Sequence, residues 1–249
     1  NGVSGNHQCR GDGVTSPTGR DEGDASVKIS TFHYFRLQPY DQDEKELFDY
    51  ELECIQMAED LGFDGVWLAE HHFRSDVCSS TLNFAAYVAA RTKRIRIGLG
   101  ILLLPFYNAL RLAEDVAVVD LLSNGRLDVG LGRGYNPLEF QGFSVPEEES
   151  RERFVDTLDI LRQAWTNDSV NFHGKFHDIK DVRVFPKPFQ KPFPPLWVGA
   201  TSAATVKQCG EWGIPFMSDP AQTFEETASL AKVWANAAQA AGHDPDGAE

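Results

Sequence analysis

The chain has 249 residues and a net charge of −14, from 37 acidic against 23 basic side chains. A domain of this size buries roughly 70–75% of its unfolded surface and needs no disulfide staple, and the acidic balance argues against a nucleic-acid-binding surface. No apolar run reaches the length of a membrane span. The four cysteines, Cys9, Cys54, Cys78 and Cys209, are scattered without metal-type pairing, as expected of free thiols in a reducing, cytoplasmic compartment.

Residues 1–26 are rich in Gly, Ser, Asp and Arg and nearly free of aliphatic side chains. They are predicted to be disordered or foreign to the fold, and they carry no apolar core of a signal peptide. Residues 27–249 read as one domain. Val27–Phe35 is a β-rich first strand, and Glu44–Leu61 a helix with Leu47, Phe48, Leu52, Ile55, Ala58 and Leu61 on one stripe. Gly62 follows, where a left-handed residue ends a helix, and Phe63–Leu68 is a short apolar strand. Thr81–Arg91 reads as a helix, Arg94–Leu104 as a strand closed by Pro105, and Ala109–Leu122 as a helix stopped by Ser123-Asn124-Gly125. Arg126–Leu131 is a fourth strand and Ser150–Trp165 a fourth helix.

The rhythm breaks between 170 and 195, an aromatic, proline-rich excursion in which Gly174 suggests a small hairpin. It is expected to shape a substrate pocket. Leu196–Ala200, Ser202–Gly210, Ile214–Met217 and Thr223–Ala241 then supply two more strand–helix pairs. Strand and helix thus alternate about six times. The reading is a parallel α/β fold, a TIM-type (βα)8 barrel truncated after about six βα units. Two strand edges would stay open.

Three places carry chemistry. Glu70, His71 and His72 stand at the carboxyl end of a buried strand, where α/β folds bind ligands. An inward His71 beside Glu70 suits proton transfer, with His72 packed the other way. A metal centre recruiting His173 and His177 is the competing reading, but it would more readily use His-x-His spacing, and no metal is assigned. Gly130-Leu131-Gly132-Arg133-Gly134-Tyr135 follows the fourth strand. Its glycines allow close approach to the backbone, and Arg133 can grip a phosphate with two hydrogen bonds; alone it marks only a tight turn. Gly199-Ala200-Thr201-Ser202-Ala203-Ala204-Thr205 joins a strand to a helix. It reads either as an ordinary N-cap or as an anion site built from free N–H groups.

Together these segments resemble the bacterial luciferase-like, flavin-dependent monooxygenases. The matching pieces are GFDGVWLAEHHF at Gly62–Phe73, RIRIGLGILLLP at Arg94–Pro105, LRLAEDVAVVDLLSNGRLDVGLGRG at Leu110–Gly134, SRERF at Ser150–Phe154 and PPLWVGATSAAT at Pro194–Thr205. The resemblance implies reduced FMN, supplied by a separate flavin reductase, reacting with oxygen on a small organic substrate. It implies His71 at the reactive edge of the flavin and Gly100-Ile101 as a non-proline cis peptide beneath the ring. Arg133, with Gly134 and Tyr135, and Arg151 would lie on the phosphate side, with Ala200, Thr201, Ser202 and Thr205 capping the phosphate. A homodimer through the early helices is also implied. Gly132 stands where the bacterial luciferase α subunit has a reactive cysteine, and Thr201 where it has a glutamate, so light emission on aldehydes is not implied. A deazaflavin-dependent oxidoreductase of the same fold and a catalytically silent flavin-binding relative are the alternatives.

Overall fold

The structure is a computed structural model that describes residues 27–37, 43–75 and 78–245. The predicted disordered segment, 1–26, lies outside them. Six parallel strands form one sheet: β1 (Ser30–His33), β2 (Gly65–Leu68), β3 (Arg96–Leu103), β4 (Leu127–Gly132), β7 (Leu196–Gly199) and β8 (Phe216–Met217). They pair in that order, with β1 and β8 as the open edges among the described residues. Helices α1 (Glu44–Leu61), α2 (Thr81–Arg91), α3 (Ala109–Leu122), α5 (Ser150–Thr166), α6 (Ala203–Trp212) and α7 (Phe224–Ala240) follow the strands. This is the curled parallel sheet of a partial (βα) barrel.

Local chemistry explains the helix limits. Asp43 accepts from the Glu46 N–H and starts α1, and Gly62 ends it at φ 86°. Asn108 caps α3 through the Arg111 N–H. Glu59, near the end of α1, accepts from the successive N–H groups of Lys93, Arg94 and Ile95 and so ties α1 to the start of β3. Strand limits follow partners instead. β1 spans four residues rather than 27–35 because β2 pairs with Ser30 to His33 alone.

The two faces of the sheet differ. Toward the helices lie rows of aliphatic side chains in register, Val66–Ile97–Leu127 and Leu68–Leu99–Val129–Leu196, nearly all fully buried. The inner face holds glycines and large rings. A Cβ at Gly98 would fall 2.3 Å from the Trp67 ring, and one at Gly100 would fall 3.0 Å from Phe32. Trp67 and Trp197 meet edge to face at 5.9 Å. At the base of this face Arg96 holds Asp128 through two hydrogen bonds.

The excursion contains the expected hairpin, β5 (Val170–His173) against β6 (Asp178–Val182). Its return path corrects the expectation about the substrate pocket. Gln190 donates from its backbone N–H and its side-chain amide to the buried Asp120, and from the amide also to Leu127 O at the start of β4. Lys187 donates to Ala164 O and Asn167 O at the end of α5. This part of the excursion therefore braces the amino-terminal floor, opposite the ligand-binding end. Only the hairpin tip reaches the upper side, where Lys175 pairs with Glu149 and Glu152. A short helix absent from the sequence reading, α4 (Pro137–Phe143), follows β4.

Candidate active site

The carboxyl ends of β2, β3, β4 and β7 form two polar corners. In the first, Glu70 is buried at 2% exposure. It accepts from Tyr107 OH at 2.6 Å, His72 Nε2 at 3.1 Å, Thr81 Oγ1 at 3.2 Å and the Leu103 N–H at 3.4 Å. These donors occupy the lone-pair directions of a carboxylate. Burial, reinforced by the charge of Glu70 and the hydrogen bond to it, pushes the Tyr107 phenol well above its usual range, so it stays a donor. Glu70 thus holds β2, α2 and the end of β3 together, and the expected His71–Glu70 pairing is not made. The acid that reaches His71 is Glu139 of α4, whose Oε1 lies 3.2 Å from His71 Nδ1 and accepts the His72 N–H at 3.1 Å. The two imidazoles have different partners. His72 binds Glu70 and packs edge-on against Phe143 at 4.7 Å, while His71 lies edge-on to the exposed Tyr135 at 6.3 Å.

The second corner is a cleft between the ends of β4 and β7 and helices α5 and α6. Arg133, Arg151, Thr205 and Gln208 supply its polar walls, and Phe154 and Trp212 its apolar ones. Arg133 is exposed and has no hydrogen bond or ion pair among the described residues; Arg151 touches only Gln208 Oε1, at 3.0 Å. Ser202 caps α6, accepting from the Thr205 N–H, and its hydroxyl lies 3.0 Å from that of Thr205. The first turn of α6 therefore presents N–H groups and the positive end of its dipole to the cleft. Two guanidiniums without an acidic partner among the described residues, beside a helix amino end, fit a phosphate group. Ala200 offers no N–H, because it donates to Met217 O, and Thr201 is exposed with its carbonyl accepting from Gln222. Gly134 makes the turn after Arg133 at φ 78°.

Between the corners, β3 carries a bulge at Gly100-Ile101, and this peptide is cis. The bulge lays Ile101 over three glycines: ideal Cβ positions at Gly132, Gly199 and Gly130 would fall 1.9, 2.8 and 2.9 Å from its side chain. The glycines on β4 and β7 therefore make room for Ile101 and keep this part of the inner face shallow. Among the described residues no group of three His, Cys, Asp or Glu side chains is placed to hold a metal ion. His173 is exposed and pairs with Asp178 on the hairpin. Sequence reasoning missed Glu139 and Tyr107. Asn136-Pro137-Leu138-Glu139 is a helix-start signature that could have pointed to the first; nothing local marks the second.

A parallel (βα) sheet with two polar corners at the carboxyl ends of its strands has the layout of a ligand-binding (βα) barrel. Residues 27–249 match the family described as luciferase-like monooxygenase, and the chain belongs to that family. It is 31% identical over 179 residues to the oxygenase component of a flavin-dependent trigonelline monooxygenase of Acinetobacter baylyi, covering 70% of this chain and 49% of that protein. It is 32% identical over 174 residues to an F420-dependent glucose-6-phosphate dehydrogenase of Amycolatopsis mediterranei, covering 67% and 52%. Among solved structures, monooxygenase RslO1 from Streptomyces bottropensis superimposes with a TM-score of 0.83 at 31% identity, over 88% of this chain and 68% of that one. The chain spans about half the length of the curated relatives it matches. Among the described residues no helix is long and apolar enough to cross a membrane.

Proposed function

We propose that the protein is an FMN-dependent monooxygenase. It takes reduced FMN from a separate flavin reductase and uses molecular oxygen on a small organic substrate. The observation that carries this reading is the convergence of Arg133, Arg151 and the amino end of α6 on one cleft beside the histidine corner. When bound, FMN supplies the oxygen-activating chemistry. Arg133 and Arg151 hold its phosphate, with Ser202 and Thr205 closing the cap. Thr201, Gly134 and Tyr135 flank that grip, and Ala200 fixes the strand end from which it starts. Gly100 and Ile101 would adjoin the flavin, and the aromatic inner wall of Phe32, Trp67 and Trp197 would keep water from it. His71 moves a proton at the reacting edge through Nε2. Exposed Met57, Leu61, Tyr87 and Leu122 on α1, α2 and α3 support a homodimer through these helices.

The relative that uses F420 keeps a second reading alive, deazaflavin-dependent hydride transfer. The deciding experiment offers the protein FMN, riboflavin and F420 and identifies the retained molecule by absorbance and mass. Preferential retention of FMN, with oxygen consumption when it is reduced, is the expected result. Retention of F420 in place of FMN sinks the monooxygenase reading. Retention of FMN with no oxygen chemistry marks a silent binding protein.

A further inference from the structure

Glu139 is 1% exposed and stands at the third position of α4, whose start is Asn136-Pro137-Leu138-Glu139. In a capping box the acid at this position turns back to the N-cap N–H. Here it does not. Its Oε1 takes both the His71 Nδ1 contact and the His72 N–H, and its Oε2 is buried without a partner among the described residues. Burial acts to raise the Glu139 pKa. The hydrogen bonds from His71 and the His72 N–H, with the charge of both imidazoles, outweigh it and leave the carboxyl below its ordinary range. The group is therefore a carboxylate at neutral pH and can only accept. The atom facing it, His71 Nδ1, must carry the proton. A neutral imidazole then keeps its lone pair on Nε2, and that atom has no partner among the described residues.

Among the described residues no neighbouring group competes for this assignment. Glu70, on the same stretch, has its oxygens filled by Tyr107, His72, Thr81 and Leu103. Tyr135, beyond β4, presents a ring to His71. Cys78 accepts the His71 backbone N–H on its carbonyl, and burial pushes its thiol up to about 12, so it carries no charge here.

We propose that Glu139 is the positioning residue of this site: it holds His71 as the Nδ1–H tautomer and leaves Nε2 as the atom that accepts a proton from substrate or cofactor. The proposal rests on reading His71 as the proton-handling group, and its test needs neither substrate nor flavin. The full chain is labelled with ¹⁵N histidine, and long-range ¹H–¹⁵N correlations are recorded above the imidazole titration range. His71 is assigned from the signals lost in His71→Gln. Wild-type His71 is expected to show a protonated Nδ1 and a bare Nε2. In Glu139→Leu, which removes the acceptor, it moves toward the mixture of free imidazole, in which Nε2–H predominates. A wild-type His71 protonated on Nε2 overturns the proposal whether or not the variant folds. So does an unchanged His71 spectrum in a folded Glu139→Leu. If the protein retains no flavin, the functional reading fails on its own while the tautomer result still decides this one.

Discussion

The two corners of the mouth treat their polar groups in opposite ways. At the histidine corner nearly every donor and acceptor is matched within the chain: Glu70 takes four hydrogen bonds, and Glu139 takes two on one oxygen. At the anion corner Arg133 has no partner among the described residues and Arg151 has one neutral contact. A buried polar group left unmatched costs folding free energy, so the first corner must be completed by the fold itself. Exposed guanidiniums cost little to leave unmatched, so the second can remain open for a ligand. On the proposed function, one corner is a rigid mount and the other a receptor. Substitutions should therefore act on stability at the first and on affinity at the second, with His71 as the exception.

That exception gives the largest expected effect. His71→Ala should lower oxygen-dependent turnover of reduced FMN by roughly 10²–10⁴ with flavin affinity nearly intact, whereas His72→Ala should chiefly lower stability. Comparable loss of turnover in both, with flavin still bound, would erase the distinction between the two imidazoles. Next comes the mount. Glu70→Ala strips a common acceptor from Tyr107, Thr81, His72 and the Leu103 N–H, and it should cost about 3–5 kcal/mol of unfolding free energy in a urea titration. A cost under about 1 kcal/mol would show that water replaces the carboxylate and that the corner is not sealed.

The receptor corner is tested by affinity. Arg133→Ala and Arg151→Ala should each weaken FMN by about 10–150-fold, from a charge-assisted contact of roughly 1.5–3 kcal/mol. Riboflavin, lacking the phosphate, should be nearly unaffected, and stability should stay within about 0.5 kcal/mol. Equal losses for both flavins would make these arginines structural.

The smallest effect is one of pH. Because the folded state holds Glu139 below its ordinary pKa, its contribution is fully present above the carboxylate range. It is lost as pH falls through the folded value. Glu59, held low by three backbone N–H groups despite its burial, adds a loss of the same sign. Wild type should therefore lose stability on acidification more steeply than Glu139→Leu, with the Glu59 contribution common to both. Parallel acid limbs in the two proteins would show that Glu139 gains nothing from the histidines.

Legibility in the sequence tracked the range of the interaction that sets each feature. The ends of α1, α2 and α3 are where periodicity put them; in α1 and α3 Asp43, Gly62 and Asn108 act on their own turn, and α2 has no side-chain cap. Strand ends were less legible, since a ladder stops where its neighbour stops, as β1 does against β2. The hairpin at Gly174 was visible from its turn residue. The path of Lys187 and Gln190 under the floor was not, because its partners lie on α3, α5 and β4. The seven-residue α4 is too short to show a hydrophobic period.

By itself the sequence determined which residue types stand at the strand ends: an acid and two histidines after β2, an arginine among glycines after β4, and hydroxyls at the start of α6. Backbone period and turn chemistry act within a few residues, and they suffice for that. Only the tertiary structure decided which acid serves which histidine. Glu70, the nearer in sequence, is drawn into a buried cluster by donors from α2 and the end of β3. Glu139, 68 residues from His71, is carried to it by a short helix. A hydrogen bond depends on the separation of atoms in space, and along a strand end one residue is enough to turn a side chain to the other side.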